Sequence, residues 1–349
     1  MELLTKQPMA VNFAMFFLAA AGVWFAGSRL ALYADAISDR TGIGKAFIGL
    51  VFLATATELP EIATTFTAAI KGNAPLVLNN MFGGIALQTV ILAVVDGLFV
   101  RGALTFYPRK PTHALEAALL IVLLTFLLAI CIVGERSVAF NVGMGTLSLA
   151  AAYVAFIWIL RLYDEQGDWL PVELPEDSDD SPDVVHNEQR DDISTNSLVA
   201  RSALASLAIL ICGVILVHSA EVIAVQSGLQ SSFIGVTLLA AATSLPELST
   251  TIAAARLGAF TMAISNIFGS NLIMVVLLLP ADMLYRDGPI LQATGKLEYL
   301  ALVSGILVTA IYVVGLLVRR KPQIFGMGVD SAFVLAVYVL SLIAFYSIT

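Results

Sequence analysis

Long apolar runs, joined by polar connections, account for most of this 349-residue chain. Each run has about the 20 apolar residues that a helix needs to cross the hydrocarbon core of a bilayer. Backbone groups in that core must be hydrogen-bonded within the protein, so a spanning segment is either a helix or part of a closed barrel. The runs are too long for barrel strands and lack strand-like alternation, so they predict an all-α polytopic membrane protein. The ten runs are 10–36, 43–70, 75–99, 114–134, 138–162, 198–225, 232–257, 260–285, 297–318 and 329–347.

Composition agrees with a protein whose main partner is the lipid bilayer. Hydrophobic residues make up 59% of the chain and charged residues 13%, against about 25% charged in a soluble domain. Much of the acid behind the net charge of −8 lies in the polar segment 163–197, which has no helical apolar period. We interpret this segment as a solvated linker, with a regulatory cation site there as the alternative. Nothing in the charge pattern indicates a nucleic-acid partner.

Basic residues predict the orientation in the membrane. With ten spans, the connections fall on alternating sides, and one side carries twelve Lys and Arg residues against five on the other. Cytoplasmic connections carry the excess of positive charge. Both termini are therefore predicted to lie outside and the 163–197 loop in the cytoplasm. The membrane predicted from the compact chain is a prokaryotic plasma membrane.

An internal repeat relates the two halves of the chain by a shift of 186 positions without a gap. About half of the positions from 47 to 83 are identical to those from 233 to 269, and they include polar residues that apolar bias would not match. Five spans per unit make the second unit enter from the opposite side, which is typical of secondary transporters. The predicted units are 1–162 and 198–349, with repeat cores at 43–99 and 232–285. We thus expect ten transmembrane helices in two inverted five-helix repeats.

The best matched positions are Pro-Glu pairs in mid-membrane, at Glu61 and Glu247. Each proline lacks an N–H and clashes with the carbonyl four residues earlier, so backbone oxygens become available nearby. Irregular backbone survives at that depth only where it lines a cavity or is buried in protein. The candidate oxygen ligands are the two carboxylates, the hydroxyls of Thr57 and Thr243, and the carbonyls near Ala56 and Ala242. An all-oxygen set of about six to eight ligands suits Ca²⁺.

Ionisable residues inside a membrane span are functional candidates by default. A lone buried glutamate holds a proton because desolvation disfavours its charge, and a bound cation reverses that preference. A metal ion and protons or monovalent cations then compete for one site, which is the physical basis of antiport. The alternative for Glu61 and Glu247 is a pair of protonated side chains that bridge helices.

Further polar residues recur in the two repeats. Asn80 and Asn266 follow their glutamates by 19 residues, and each offers an uncharged oxygen ligand or an interhelical hydrogen bond. Two acidic pairs also match, Asp96 with Asp282 and Asp35 with Glu221. They lie near the predicted membrane boundaries, where an interfacial position is favoured over a role at an ion entrance. Single residues in apolar runs are expected to be packed core residues; these are Cys131, Cys212 and His218.

The segments Ala-Thr-Glu-Leu-Pro-Glu at 56–61 and Ala-Thr-Ser-Leu-Pro-Glu at 242–247, each followed by an Asn-x-Phe-Gly segment, resemble the two alpha-repeats of the cation/Ca²⁺ exchanger superfamily. The resemblance covers the ten-helix plan. It implies an antiporter that exchanges Ca²⁺ for Na⁺ or H⁺ by alternating access, with the first and sixth spans moving against a fixed core. It also implies the central ligands Glu61 and Glu247, with a surrounding set of Thr57, Thr243, Ser244, Asn80 and Asn266.

The first repeat departs from the family pattern. Glu58 stands where the family has serine, and the repeat ends Gly83-Gly84-Ile85 instead of Gly-Ser-Asn. Glu58 and Glu61 share a helix face at i,i+3, and two close carboxylates favour retention of one proton. We hypothesise that Glu58 supplies a third carboxylate, and H⁺ and Na⁺ both remain candidate counter-ions.

Other classes of function stay beside this interpretation. One alternative is an antiporter for other cations, such as Mg²⁺, Mn²⁺, K⁺ or Na⁺/H⁺. Another is an ion-binding membrane sensor without transport. The chain has no His-Glu-x-x-His, no Gly-x-Ser-x-Gly and no paired Gly-Asp motif, so we do not expect an enzyme, and no cofactor is implied. The sequence is compatible with a monomer and leaves the oligomeric state open.

Overall fold

The structure is a computed structural model that describes residues 7–100, 102–108, 110–138, 142–166, 194–228, 240–318, 322–324 and 326–348. The predicted acidic loop lies almost entirely outside these residues, as does the first part of the predicted run 232–257. The described residues are almost all helical, as the apolar runs predict.

The helices follow the predicted runs closely. The first half contains α1 (Met9–Thr41), α2 (Lys45–Thr57), α3 (Leu59–Ile70), α4 (Ala74–Phe99), α5 (Thr112–Val133) and α6 (Met144–Gln166). The second half contains α7 (Thr195–Gln226), α8 (Leu245–Arg256), α9 (Phe260–Val276), α10 (Leu278–Leu284), α11 (Lys296–Val318) and α12 (Val329–Ile348). Two short 3₁₀ helices, Leu104–Phe106 and Ile290–Ala293, follow α4 and α10. A two-stranded hairpin, β1 (Gln323–Ile324) and β2 (Met327–Gly328), precedes α12.

Eight of the described helices are long and apolar enough to cross a membrane, with α9 and α10 counted as one. The pair α2 and α3, bent by 49° at Glu58, makes a ninth if it is one span. The predicted seventh span is described only from residue 240, which includes α8. The chain is therefore an integral membrane protein with eight or nine candidate spans in its described part.

Burial separates a central helix from peripheral ones. The α9–α10 span has 89% of its most apolar window buried inside the protein, whereas the α12 span has 11%. The central α9 packs against α2, α4, α5 and α8, and α4 packs against α11 and α12. A second group forms where α1 lies along α7 and also contacts α8. Residues that both repeats place on α2, α4, α8 and α9 are thus collected in the interior.

Close contact between α2 and α9 depends on glycine. The middle of α2, Ile48–Leu53, is wound as a π-helix, a feature frequent at functional sites. A Cβ at Gly269 would overlap the Leu50 carbonyl oxygen, and one at Gly49 would lie 2.6 Å from the Met262 carbonyl oxygen. Only a residue without a side chain permits this approach of two helix backbones. The contact brings the break after α2 next to the middle of α9.

Asp282 is fully buried and joins the two halves of the chain. Its Oδ1 accepts the Ile290 N–H at 2.7 Å, and its Oδ2 accepts the Gly143 N–H at 2.7 Å. The Thr146 hydroxyl also donates to Oδ2, at 2.7 Å. Gly143 and Thr146 lie at the start of α6, so the second half of the chain holds the last helix of the first half.

Asp96 makes the corresponding connection in the other direction. It is fully buried, and it accepts the Leu104 N–H at 2.7 Å and the Gly328 N–H at 2.8 Å. Gly328 directly precedes α12, the last helix of the second half. Asp96 and Asp282 lie close to the ends of α4 and α10, and their interfacial position in the membrane stays a prediction. Both carboxylates lie inside the protein because they satisfy backbone N–H groups that would otherwise be unpaired at helix starts.

Candidate functional site

The helix break at Glu58 has the geometry that proline imposes. Pro60 is the second residue of α3, a position where its missing N–H costs nothing. Helical hydrogen bonds continue on both sides of the break. The Glu58 N–H donates to the Ala54 carbonyl at 3.0 Å, and the Ile62 N–H donates to the Glu58 carbonyl at 2.8 Å. Pro60 has no N–H to donate to the Ala56 carbonyl four residues earlier. That oxygen therefore lacks its usual helical partner and is available to another one.

The second repeat has the same local structure 186 positions later. Ser244 N–H donates to the Ala240 carbonyl at 3.1 Å, and Leu248 N–H to the Ser244 carbonyl at 3.0 Å. The Thr243 hydroxyl donates to the Ala240 carbonyl at 3.0 Å, as Thr57 does to Ala54 at 3.1 Å. Ser244 precedes α8 as its N-terminal flanking residue and is buried. The backbones of Ala56 and Ala242 therefore occupy equivalent breaks, and both alanines are buried.

Three carboxylates meet between the repeats. Glu58 and Glu247 are fully buried and Glu61 is 3% exposed. The charge of Glu61 interacts with those of Glu247 and Glu58, and the charge of Glu247 with that of Glu58. Four oxygens have no hydrogen-bond partner among the described residues: Glu58 Oε2, Glu61 Oε2 and both of Glu247. Buried carboxylate oxygens without partners are costly, and a bound cation is one way to compensate them.

Neutral oxygens surround these carboxylates. Thr57 is fully buried, adjoins the Glu247 carboxylate, and lies with its hydroxyl 3.5 Å from that of Ser270. Gln88 donates from Nε2 to Glu58 Oε1 at 2.6 Å, while its own Oε1 has no described partner. The repeat pattern does not identify Gln88 or Ser270, because their equivalents at 274 and 84 are Met274 and Gly84. A glutamine inside the apolar run 75–99 was the available signal, because polar side chains within spans are functional candidates.

The two asparagines lie in different surroundings. Asn266 is fully buried and donates to the hydroxyls of Thr250 at 3.1 Å and Thr251 at 3.3 Å, with Oδ1 left unpartnered among the described residues. Asn80 is half-buried and lines a cavity together with Thr243. Among the described residues neither asparagine forms a hydrogen bond with the carboxylates of Glu61 or Glu247.

The cavity approaches the site from one side. Its volume is about 130 Å³, and one water molecule needs about 10–15 Å³ of such volume. Its walls come from α3, the start of α4 and the end of α7, and Thr243 also lines it. Besides Asn80, the polar residues that line it include Thr64, Lys71, His218 and Glu221. The His218 side chain is 32% exposed and lines a cavity, so it is not the packed core residue that the sequence suggested.

Carboxylates alone do not form a metal site here. Across the described ranges, no group of three or more His, Cys, Asp or Glu side chains has the arrangement to hold a metal ion. An ion beside Glu61 and Glu247 would therefore need neutral oxygens from hydroxyls, amides and carbonyls. Ca²⁺ accepts these oxygen types in flexible arrangements of six to eight ligands, so the surrounding residues fit a hard cation.

Known proteins resemble this chain along nearly its whole length. The family model for the sodium/calcium exchanger protein matches residues 11–160 and 197–347. Inner membrane protein YrbG of Escherichia coli K12 is 25% identical over 308 residues, which is 86% of this chain and 87% of that protein. Sodium/calcium exchanger MaX1 of Methanosarcina acetivorans is 43% identical over 58 residues, 17% of each chain.

The fold matches a solved exchanger structure. The sodium-calcium exchanger NCX_Mj, soaked with 10 mM Na⁺ and zero Ca²⁺, superposes with a TM-score of 0.68 at 17% identity. The match covers 96% of this chain and 99% of that chain. At this identity the likeness concerns the fold, and it agrees with the helix plan described above.

Proposed function

Because the chain belongs to the sodium/calcium exchanger family, we propose that it is a cation antiporter that exchanges Ca²⁺ for Na⁺ or H⁺ across the membrane. The observation that carries this proposal is the meeting of Glu61 and Glu247, one from each repeat, with three buried carboxylate oxygens that lack described partners. Two negative charges can balance one divalent cation. Without a cation, the same charges repel each other and favour protons.

The proposed ligand set combines both repeats. Glu61 and Glu247 supply charge, while Thr57, Thr243 and the carbonyls of the two helix breaks supply neutral oxygens. Gln88 and Ser270, which the structure brings to Glu58, extend the set. Asn80, Asn266 and Ser244 complete the ligands expected from the sequence. This combination reaches the coordination number that Ca²⁺ requires without a third metal-binding carboxylate.

The counter-ion has support from two directions. Solved structures of NCX_Mj were soaked with Na⁺ together with Ca²⁺ or Sr²⁺, which favours Na⁺ for this fold. Glu58, a third buried carboxylate beside Glu61, favours H⁺, since three close negative charges retain protons more readily than two. We keep both ions in the proposal, and the flux experiment below separates them.

The membrane arrangement that we propose has ten spans in two inverted repeats. Matching hydrogen bonds 186 positions apart support the repeat, and the five-span units imply opposite orientations. The surplus of basic residues in one set of connections supports external termini and a cytoplasmic 163–197 loop. A prokaryotic plasma membrane agrees with the name of the relative from Escherichia coli, an inner membrane protein.

Alternating access is supported by a register difference between equivalent contacts. A Cβ at Gly213 of α7 would meet Pro60, whereas one at Gly27 of α1 would meet Ser249 and Thr250. Gly27 and Gly213 are equivalent by the 186 shift, but Ser249 lies three residues beyond the equivalent of Pro60, Pro246. Three residues span about 4.5 Å along a helix. The contact of α1 with α8 therefore lies about one helical turn beyond the position that would be equivalent to the contact of α7 with α3.

We expect the opposite state to exchange these registers. In a structure with the cavity on the other side, Gly27 should lie against Pro246, and Gly213 against Ala63. The measurement is a structure of the protein trapped in that state, in which α1 and α7 should have moved together relative to α9. Unchanged glycine contacts in such a structure would contradict sliding of this helix pair.

Flux in reconstituted vesicles tests the proposed exchange. We expect ⁴⁵Ca²⁺ uptake to be driven by an outward gradient of Na⁺ or of H⁺, with no uptake when both gradients are absent. If H⁺ is the counter-ion, Glu58→Gln should abolish the pH-driven component; uptake driven only by Na⁺ would defeat the proton hypothesis. Unlabelled Mg²⁺, Mn²⁺ and K⁺ serve as competitors. Transport of those ions in place of Ca²⁺ would favour another cation antiporter, and ion binding without flux would favour a sensor.

A further inference from the structure

Equivalent acidic residues have unequal surroundings in the two halves of this structure. Asp35 on α1 is buried, and its Oδ1 lies 2.9 Å from Lys45 Nζ. Its equivalent on α7, Glu221, is about one quarter exposed and lines the cavity. The partner of Glu221 is a histidine one helical turn earlier, His218, with Nδ1 3.2 Å from Oε2. The acidic residue of α1 is therefore paired with a lysine, whereas the equivalent residue of α7 is paired with a histidine, a side chain that commonly binds metals.

We propose that His218 and Glu221 form an outer binding site for a transition-metal divalent cation such as Zn²⁺, in the cavity that they line together with Asn80 and Thr243 of the proposed exchange site. The effect of this site on cation access rests on the proposed function. The binding of the metal ion does not depend on it. Ca²⁺ takes oxygen ligands only, whereas imidazole nitrogen suits Zn²⁺ and related ions. The outer site therefore differs in preference from the inner one.

The geometry of the pair suits one tetrahedral ion. Two ligands about 2.0–2.1 Å from Zn²⁺ at a tetrahedral angle are about 3.3 Å apart. The His218 Nδ1 and Glu221 Oε2 atoms are 3.2 Å apart, so an ion could bridge them with little movement. Residues three apart lie on the same face of a helix, so His218 and Glu221 present both side chains to one position.

The cavity supplies room and further ligands. Thr64 and Asn80 line the same cavity with a hydroxyl and an amide, and water completes the coordination of open zinc sites. The charged groups that line this cavity are Glu221 and Lys71, the latter at the exposed turn before α4. His218 and Thr243 line the same cavity, so a divalent ion held at His218 would occupy part of the space through which a cation reaches Thr243.

Equilibrium dialysis with ⁶⁵Zn²⁺ and the purified full-length protein tests the site. We expect Zn²⁺ binding to fall at least tenfold in His218→Gln and in Glu221→Gln. The double variant Glu61→Gln/Glu247→Gln should bind Zn²⁺ like the wild type, because the inner carboxylates are not ligands of the outer ion. His186→Gln is the matched control in the 163–197 loop and should leave binding unchanged.

Zn²⁺ inhibition of ⁴⁵Ca²⁺ flux provides the second measurement. We expect inhibition of the wild type and at least tenfold weaker inhibition of His218→Gln at the same Ca²⁺ concentration. Zn²⁺ binding that survives His218→Gln, or that disappears with His186→Gln, would overturn the proposal. If the chain transports no Ca²⁺, the proposed exchange is contradicted. The dialysis result still tests the outer site independently.

Discussion

Glu61→Gln and Glu247→Gln should each abolish Ca²⁺ flux. Glutamine keeps the size of the side chain but removes the negative charge, so one buried charge would face a divalent cation alone. Removal of one partner from a buried charge pair costs about 3–5 kcal/mol, a factor of about 10²–10⁴ in affinity. We expect the loss in Ca²⁺ binding measured by calorimetry as well as in ⁴⁵Ca²⁺ flux from vesicles. The two variants should behave alike, because the repeats place both carboxylates at one site.

Glu298→Gln is the matched control. Glu298 is also a buried carboxylate at the start of a span, but it accepts the N–H of Gly295 at 2.8 Å within its own helix start. Glutamine retains an oxygen for that hydrogen bond, so flux should remain near the wild-type value. Wild-type flux in Glu61→Gln would remove the basis for the exchange site, provided that the variant elutes as a folded protein in size-exclusion chromatography.

The sequence predicts the helix plan well because hydrophobic length and proline act locally. Each apolar run outside the undescribed residues became a helix, and the Pro-Glu pairs broke their spans at Glu58 and Ser244. Gly72 and Gly258, which are equivalent by the 186 shift, both lie in turns with positive φ angles of 72° and 78°, as glycine favours. These features need only a few neighbouring residues, so periodicity and turn chemistry are sufficient to find them.

Long-range contacts were harder to predict. Asp96 accepts a backbone N–H that is 232 residues away in the chain, and no local pattern identifies that partner. Gln88 and Ser270 reach Glu58 only through the crossing of α2, α4 and α9. A search restricted to residues that recur in both repeats could not select them, because Gln88 has no counterpart at position 274, which is methionine.

The difference between the two halves could not be predicted from a repeat that makes them equivalent. Thr250, Thr251 and Asn266 are fully buried, whereas Thr64, Asn80 and Thr243 border the cavity. Under the proposed alternating access, equivalent halves would be open to one side at a time, and this asymmetry would belong to the conformational state. The exposure of His218 in the cavity would then be a property of that state, which no local sequence pattern encodes.

Gly269→Ala should disrupt both stability and transport. The added Cβ would overlap the Leu50 carbonyl oxygen and lie 2.8 Å from the Ala54 Cβ, so α2 and α9 must separate. Overpacking of this kind costs about 1–3 kcal/mol. Because α2 carries Thr57 and α9 carries Ser270, separation should also displace ligands, and we expect flux to fall at least tenfold. Thermal unfolding followed by size-exclusion chromatography and ⁴⁵Ca²⁺ flux measure the two effects.

Gly22→Ala separates steric contact from the general effect of replacing a helical glycine. A Cβ at Gly22 would lie 2.7 Å from the Cys212 sulfur, a side chain that can rotate away. Alanine also gains about 1 kcal/mol of helix propensity over glycine in a helix interior. Gly22→Ala should therefore be at least as stable as the wild type and keep its flux. An equal loss in both variants would mean that the backbone contact between α2 and α9 does not control the site.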